Sequence, residues 1–414
     1  MKDVVIVSGV RTPVGRYMGS LKSVEAYDLA AIVLNEVIRK VGLDAKQVDE
    51  VIMGQAYQNG EYVNMARMGL LNAGWPETIP GVTIDRRCCT GLDVVRLAGA
   101  LIQSGQAEIV AAAGVESMSN AEFYLPGSVK WGVGGEKGMP RGHGDMSIWG
   151  LKFYDRIQRA RVMSQPESRY GILPSMMSWA ETAASEENVT REECDQWSLE
   201  SHKKACAAID AGKFSEEIIP VTIPQRKGDP ILFDRDENPR SDTTLERLQG
   251  LKPVLGGVCT AGNSSTENDG AAAVIVTSAE KAKELGLEPF ATLKSCAVAG
   301  ADPTRTHLTV PAAVNKALDM ASVKIDQMEL IEIQEAFAAQ VLADLKQMGV
   351  GPEEYGKVNV NGSGISLGHP IAATGVRVLV TLLHEMKRSD KKLALECICG
   401  GGGLGIAAVL ERNF

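Results

Sequence analysis

The chain has 414 residues, beyond the size at which one hydrophobic core usually stops growing, so two or three domains with ample buried area are expected. Hydrophobic residues at 44% and charged residues at 23% describe a globular protein and argue against a disordered one. The net charge of −9 is spread along the chain, which argues against nucleic acid or an anionic membrane surface as the main partner; a polyanionic ligand would need a local basic patch.

The amino-terminus runs at once into Val4-Val5-Ile6-Val7, with no charged stretch, apolar segment and cleavage site before it. No run approaches the ~18 apolar residues of a membrane span. Eight cysteines (88, 89, 194, 206, 259, 296, 397 and 399) are too sparse for a disulfide framework and fit a reducing compartment, so a cytoplasmic location is expected.

Residues 3–8 read as a buried strand, followed by an amphipathic helix over 24–41, a strand at 51–53, a short helix near 63–73 and a strand at 82–84. A helix beginning near Cys88 and a strand at 109–113 follow. This alternation predicts a sheet covered by helices on both faces. Between 120 and 250 the composition changes: Trp131, Trp149, Trp179 and Trp197 fall here, with many glycines and helices near 171–186 and 191–212. A buried strand at 270–277 then completes the interrupted unit.

The second half repeats the order, with strands near 290–297, 329–333, 357–360, 393–398 and 404–411 and helices at 310–322, 335–347 and 370–387. The spacing predicts one α/β unit over 1–119 and 251–277, a mostly helical inserted cap over 120–250, and a second unit over 278–414. The helix opened by Pro370 falls in the second unit where the helix after Cys88 falls in the first, since 369 − 88 = 281 and 310 − 24 = 286. Two such copies about a pseudo-twofold axis bring equivalent helix N-termini together, which places Cys88 near His369.

Five stretches carry chemistry. In Gly362 through Pro370, His369 stands between glycine-rich turns and a proline that opens a helix; at a helix N-terminus the positive dipole end favours neutral imidazole, a proton acceptor at pH 7. A capping or core histidine is the bland alternative. In Asp85-Arg86-Arg87-Cys88-Cys89-Thr90-Gly91, a strand runs into a turn and a helix, and helix end plus arginines predict a lowered Cys88 thiol pKa. Thiolate beside neutral imidazole is a nucleophile and base arrangement, while two buried fillers are the alternative for Cys88 and Cys89.

Glu396-Cys397-Ile398-Cys399 ends in Gly400 to Gly403, a run that lets a substrate approach the backbone and leaves amides free for an oxyanion. With no second pair at ligand spacing, Cys397 and Cys399 argue against zinc, and no metal is expected. Strand alternation puts both on one face, and Cys399 is nearer the glycines. The polar turns Thr260–Gly270 and Glu332–Ala338 complete the set; loop and helix-cap readings stay open for them.

Together these segments resemble the thiolases, acyl-CoA acyltransferases that make or break a carbon–carbon bond next to a thioester. The matching segments are the cysteine turn at 85–92, Ala261-Gly262-Asn263-Ser264-Ser265, Glu335-Ala336-Phe337-Ala338, Asn359 through Pro370, and Cys399 through Gly405. The resemblance implies an α/β, thiolase-like fold of two five-stranded units in α-β-α-β-α layers, and reversible condensation or thiolysis of 3-ketoacyl-CoA, with coenzyme A and acyl-CoA as substrates and no permanently bound cofactor. By the same resemblance Cys88 is acylated, His369 takes its proton, and Cys399 moves the α-proton. One oxyanion falls to His369 and a water held by Gln334, the other to the amides of Cys88 and Gly401. Ser265 lies against the pantetheine arm. Arg226, with Lys227, is the candidate basic patch for CoA phosphates, and a solvated charge pair is its alternative. A homodimer or homotetramer is expected, with the strand near 108–114 as a pairing edge. The sequence departs from the pattern at Gln334, where the family has Asn, and at Trp179, a large aromatic beside the acyl pocket. Residues 125–170 match poorly.

Overall fold

The computed structural model describes residues 2–127 and 153–413; Trp131 and Trp149 lie outside them. The apolar run at the amino-terminus becomes strand β1 (Val4–Arg11), buried along its whole length. It is followed by α1 (Ala26–Arg39), β2 (Glu50–Gly54), α2 (Met65–Asn72), β3 (Gly81–Ile84), α3 (Thr90–Ser104) and β4 (Ile109–Ser117). Helix α1 buries Leu29, Val33, Leu34, Val37 and Ile38, the spacing of one helical face.

In the insertion, α4 (Arg156–Val162), α5 (Met177–Glu186) and α6 (Arg191–Asp210) precede a hairpin of β5 (Val221–Ile223) and β6 (Ile231–Phe233). Helix α6 opens on a capping box formed by Thr190 and Glu193. The helix expected from 171 begins only at Met177, because Gly171 at φ 71° and Pro174 hold the chain in a turn. Strand β7 (Asn268–Ser278) then returns to the first sheet, whose order is β3-β2-β4-β7-β1.

The second unit contains β8 (Ala291–Gly300), α7 (Thr309–Ala321), β9 (Leu330–Ile333), α8 (Ala338–Met348), α9 (Ile371–Arg388), β10 (Leu393–Gly400) and β11 (Leu404–Glu411). Its order, β9-β10-β11-β8, reproduces the last four strands of the first, β2-β4-β7-β1. In both, one parallel pair is followed by two antiparallel ones: β2 with β4, then β4 with β7 and β7 with β1, against β9 with β10, then β10 with β11 and β11 with β8.

Three expectations need adjustment. The strand at 357–360 shrinks to a single parallel bridge between Ile331 and Val358: Asn359 turns the chain at φ 46°, and its side chain bonds the N–H and carbonyl of Ile333. The two sheets are not separate, since β1 and β8 pair at Val5–Thr292 and Ile6–Ala291. The pairing edge expected near 108–114 is interior: β4 lies between β2 and β7, and β3 is the edge.

Helices α3 and α9 fill the space between the two sheet halves, where Leu92, Val95, Val376 and Leu379 meet Ile6, Val276, Ile398 and Ile406. Helices α1 and α2 cover the outer face of the first sheet, and α7 and α8 that of the second. The layers are helix, sheet, helix, sheet, helix. The two central helices cross at Gly91 and Gly375: a methyl on Gly375 would stand 2.2 Å from the Leu92 nitrogen, so only glycine permits this approach. Their N-termini, just past Cys88 and His369, are thereby fixed against each other.

Candidate active site

Cys88 lies one residue before the N-cap of α3. The turn that delivers it puts Arg87 in the left-handed region at φ 54°, a conformation costly for arginine, and is held by Asp85 accepting from the Arg87 N–H (2.6 Å) and Thr90 Oγ1 accepting from the Arg86 N–H (2.6 Å). Arg86 Nε in turn donates to Asp93 Oδ2 at 2.7 Å. Burial pushes the Cys88 thiol up to about 11, against the Gly401 N–H and the Arg87 guanidinium, which favour thiolate. The expectation of a lowered thiol pKa is therefore corrected: desolvation outweighs the helix end and the arginines, and Cys88 rests as a thiol.

His369 precedes α9, with Pro370 as the N-cap rather than the first helical residue. Its backbone N–H donates to Asn268 Oδ1 (2.8 Å) on β7. Its Nδ1 lies 2.7 Å from Thr374 Oγ1, whose single proton goes to the Pro370 carbonyl at 3.0 Å. Thr374 can then only accept from His369, so Nδ1 carries the hydrogen and Nε2 is left as a buried, unpartnered lone pair. Burial, and then Arg377 and Arg161, lower the imidazole to about 3. The neutral histidine expected from sequence is present, with burial as the largest cause and Arg377 and Arg161 adding to it.

Cys399, near the end of β10, is buried, and desolvation holds its thiol well above the ordinary range. Its strand neighbour Cys397 faces the same outer core, and Cys89 is a packed thiol 3.5 Å from the Ile398 carbonyl.

Cys88, His369, Cys399, Gly401 and Ser265 all line one cavity of about 160 Å³. Two predicted residues do not. Gln334 is buried outside it, with Oε1 3.5 Å from Arg377 Nη2 and an unpartnered Nε2. Arg226 stands on the exposed turn between β5 and β6. Thr374, Asn268 and Glu116 also shape the site, though no sequence motif marks them as functional. Glu116 accepts from the N–H groups of Ala56, Tyr57 and Ala372 (each 3.1 Å), tying the cavity wall to the first turn of α9. A carboxylate ending an otherwise apolar strand, as Glu116 does in Ala113-Gly114-Val115-Glu116, was the available signal.

A duplicated α/β fold with a half-buried thiol, a tautomer-fixed histidine and a second, buried thiol around one cavity defines an acyl-transferring enzyme. Residues 4–280 match the thiolase N-terminal domain and residues 287–412 the thiolase C-terminal domain. The chain is 46% identical over 415 residues to an acetyl-CoA acetyltransferase of Cupriavidus necator, covering 100% of both. The crystal structure of the Bacillus anthracis acetyl-CoA acetyltransferase superposes with a TM-score of 0.90 at 39% identity, covering 99% of both chains. That of human mitochondrial 3-ketoacyl-CoA thiolase gives 0.89 at 32% identity, covering 100% of this chain and 99% of the other. The chain belongs to the thiolase family, and it is an acyltransferase.

Proposed function

We propose that the protein catalyses reversible condensation and thiolysis of short 3-ketoacyl-CoA thioesters through an S-acyl Cys88. The observation that carries this is the convergence of Cys88, His369 and Cys399 on one cavity. In thiolysis, His369 Nε2 takes the Cys88 proton as the sulfur adds to the 3-keto carbon. The bond between C2 and C3 breaks, its electron pair leaves as the acetyl-CoA enolate, and Cys399 protonates that carbon. CoA thiol then gives its proton to Cys399 and takes the acyl group, while His369 returns the first proton to Cys88. Protonated His369 and the Gly401 N–H, which already reaches Cys88, hold the developing oxyanions.

Ser265 fits a contact to the pantetheine arm, because it lines the cavity and is fixed by its N–H bond to the Ala336 carbonyl (2.9 Å). Gln334 and Arg226 stand outside the cavity lining, so a water held by Gln334 and a phosphate contact at Arg226 rest on the family pattern. Residues 120–250 are read as the cap over units 1–119 with 251–277 and 278–414, since Ser175, Met176 and Trp179 roof the cavity. A volume of about 160 Å³, below the roughly 300–1,000 Å³ of drug-sized sites, favours a short acyl group. His369 is the only histidine lining it among the described residues, which disfavours a decarboxylating synthase with two histidines. Eight free thiols support a cytoplasmic setting, and a homo-oligomer in fatty acid metabolism is part of the same reading. No helix among the described residues is long and apolar enough to cross a membrane.

Incubation with acetoacetyl-CoA and other 3-ketoacyl-CoA esters plus CoA tests this. Thioester cleavage and an acyl adduct on the Cys88 peptide are expected; absence of both for every ester would sink the proposal.

A further inference from the structure

Behind the cavity, between α9 and the second sheet, stand charged side chains that the acyl-transfer chemistry leaves unused. Arg377, in the second turn of α9, is buried, yet its guanidinium is directed at neutral oxygens. Its Nη2 lies 3.2 Å from the Gly368 carbonyl and 3.5 Å from Gln334 Oε1, and Nε has no partner among the described residues. A buried guanidinium bonded to neutral acceptors costs free energy unless its charge is balanced nearby. The balance comes from a neighbouring cluster. Arg11 pairs with both Glu217 (2.6 Å) and Asp236 (2.7 Å), so two arginines stand against two carboxylates, and Thr381 of α9 donates to Glu217 Oε1 at 2.8 Å. Two further carboxyls, Glu332 and Glu396, stand opposite each other on β9 and β10; burial raises both, Glu332 to about 8, so neither requires Arg377 as a counter-ion at pH 7.

What Arg377 holds is the chain beside the base. Gly368 and His369 share one planar peptide unit. Its carbonyl accepts from Arg377 Nη2, and its N–H donates to Asn268 Oδ1 at 2.8 Å. Asn268 is anchored in turn, because its Nδ2 donates to the Gly15 carbonyl at 2.9 Å. Both ends of the peptide are therefore fixed from different elements, α9 on one side and β7 on the other. Gly368 stands at φ 97°, and a methyl there would meet the Asn268 side chain at 2.7 Å, so this geometry also requires glycine. Rotation of the peptide would swing the Cα–Cβ bond of His369 and displace Nε2.

We propose that Arg377 is a positioning residue for the catalytic base. By holding the Gly368 carbonyl it fixes the peptide that aims His369 at the cavity, and by holding Gln334 Oε1 it keeps that side chain out of the cavity lining. Arg377 touches no substrate. It acts through His369, so the assignment rests on the thiolase reading above.

The test is thiolysis of acetoacetyl-CoA by Arg377→Met, which keeps an unbranched side chain and removes both hydrogen bonds. Rates are expressed per competent site, counted as the end-point amount of acyl-Cys88 after long incubation with acetyl-CoA, which divides out any protein that fails to fold. The value of kcat should fall about 10- to 100-fold with KM nearly unchanged, and Arg377→Lys should recover part of the loss. Because Arg377 and Asn268 hold the same peptide, the loss when Arg377→Met is combined with Asn268→Ala should be smaller than the product of the two single losses. Where Arg377→Met does not fold, the shorter and polar Arg377→Gln reads the same quantity. An unchanged kcat per competent site, a loss confined to KM, or losses that multiply in the double variant would overturn the proposal while leaving the thiolase reading intact. No cleavage and no Cys88 adduct in the unaltered enzyme would overturn both.

Discussion

Thr374 Oγ1 lies 2.7 Å from His369 Nδ1 and donates its own proton to the Pro370 carbonyl, which leaves it able only to accept from the imidazole. One hydroxyl thus sets the tautomer of the base. Replacing Thr374 with Val keeps the shape and removes the acceptor. A fall in kcat of about 10- to 100-fold is expected, a part of the roughly 100- to 10,000-fold that a positioned general base contributes, with KM changed far less. Thr374→Ser should recover most of the rate in the same steady-state assay.

The resting pair is thiol and neutral imidazole, with Cys88 near 11 and His369 near 3. Alkylation of Cys88 by iodoacetamide should therefore keep rising with pH past 9 instead of levelling near neutrality. The stability signs also follow. His369 binds its proton less well folded than unfolded, so stability is lost as pH falls from about 6.5 toward 3; Cys88 binds its proton better folded, so stability is lost as pH rises from about 9 toward 11. Buried carboxyls such as Glu116 titrate between those ranges, so the Cys88 part is isolated by urea midpoints between pH 9 and 11, where the loss should be smaller in Cys88→Ser than in the unaltered protein.

The crossing at Gly91 and Gly375 sets the distance between nucleophile and base. A methyl at Gly375 meets the Leu92 nitrogen at 2.2 Å and backbone of Gly91 at 2.7 Å, neither of which moves without shifting a helix. Gly375→Ala is expected to cost about 3 kcal/mol or more and to abolish acylation of Cys88 in any protein that still folds. Thermal unfolding and adduct mass spectrometry read the two effects separately.

Glu116 is fully buried and accepts three backbone N–H bonds that join residues 56 and 57 to α9. Burial raises its carboxyl to about 7, with the three N–H groups opposing. Glu116→Ala would leave those donors unpaired, at a cost on the order of 3 kcal/mol in urea unfolding; Glu116→Gln should lose less, since its amide oxygen still accepts.

Much of this was legible in the sequence because the fold is a duplication. The offset between the Cys88 and His369 segments is within five residues of that between the first helices of the two units, and this repeat brings the pair together. Periodicity found the strands because most are buried along their length. What it missed depends on contacts distant in sequence. The sign of the Cys88 shift is set by desolvation from segments distant in sequence that pack around a half-buried thiol, which local motifs do not encode. Asn359 removed a predicted strand through a hydrogen bond to Ile333. Gln334 was assigned from its neighbours Glu335-Ala336-Phe337, but its longer side chain turns to Arg377 instead of lining the cavity.

The division of labour between the two active-site thiols is tested most directly by Cys399→Ala incubated with acetyl-CoA and examined by peptide mass spectrometry. One acetyl group on the peptide containing Cys88, with no acetoacetyl-CoA formed, is the expected result. An unmodified Cys88, an adduct elsewhere, or condensation continuing at the unaltered rate would contradict it.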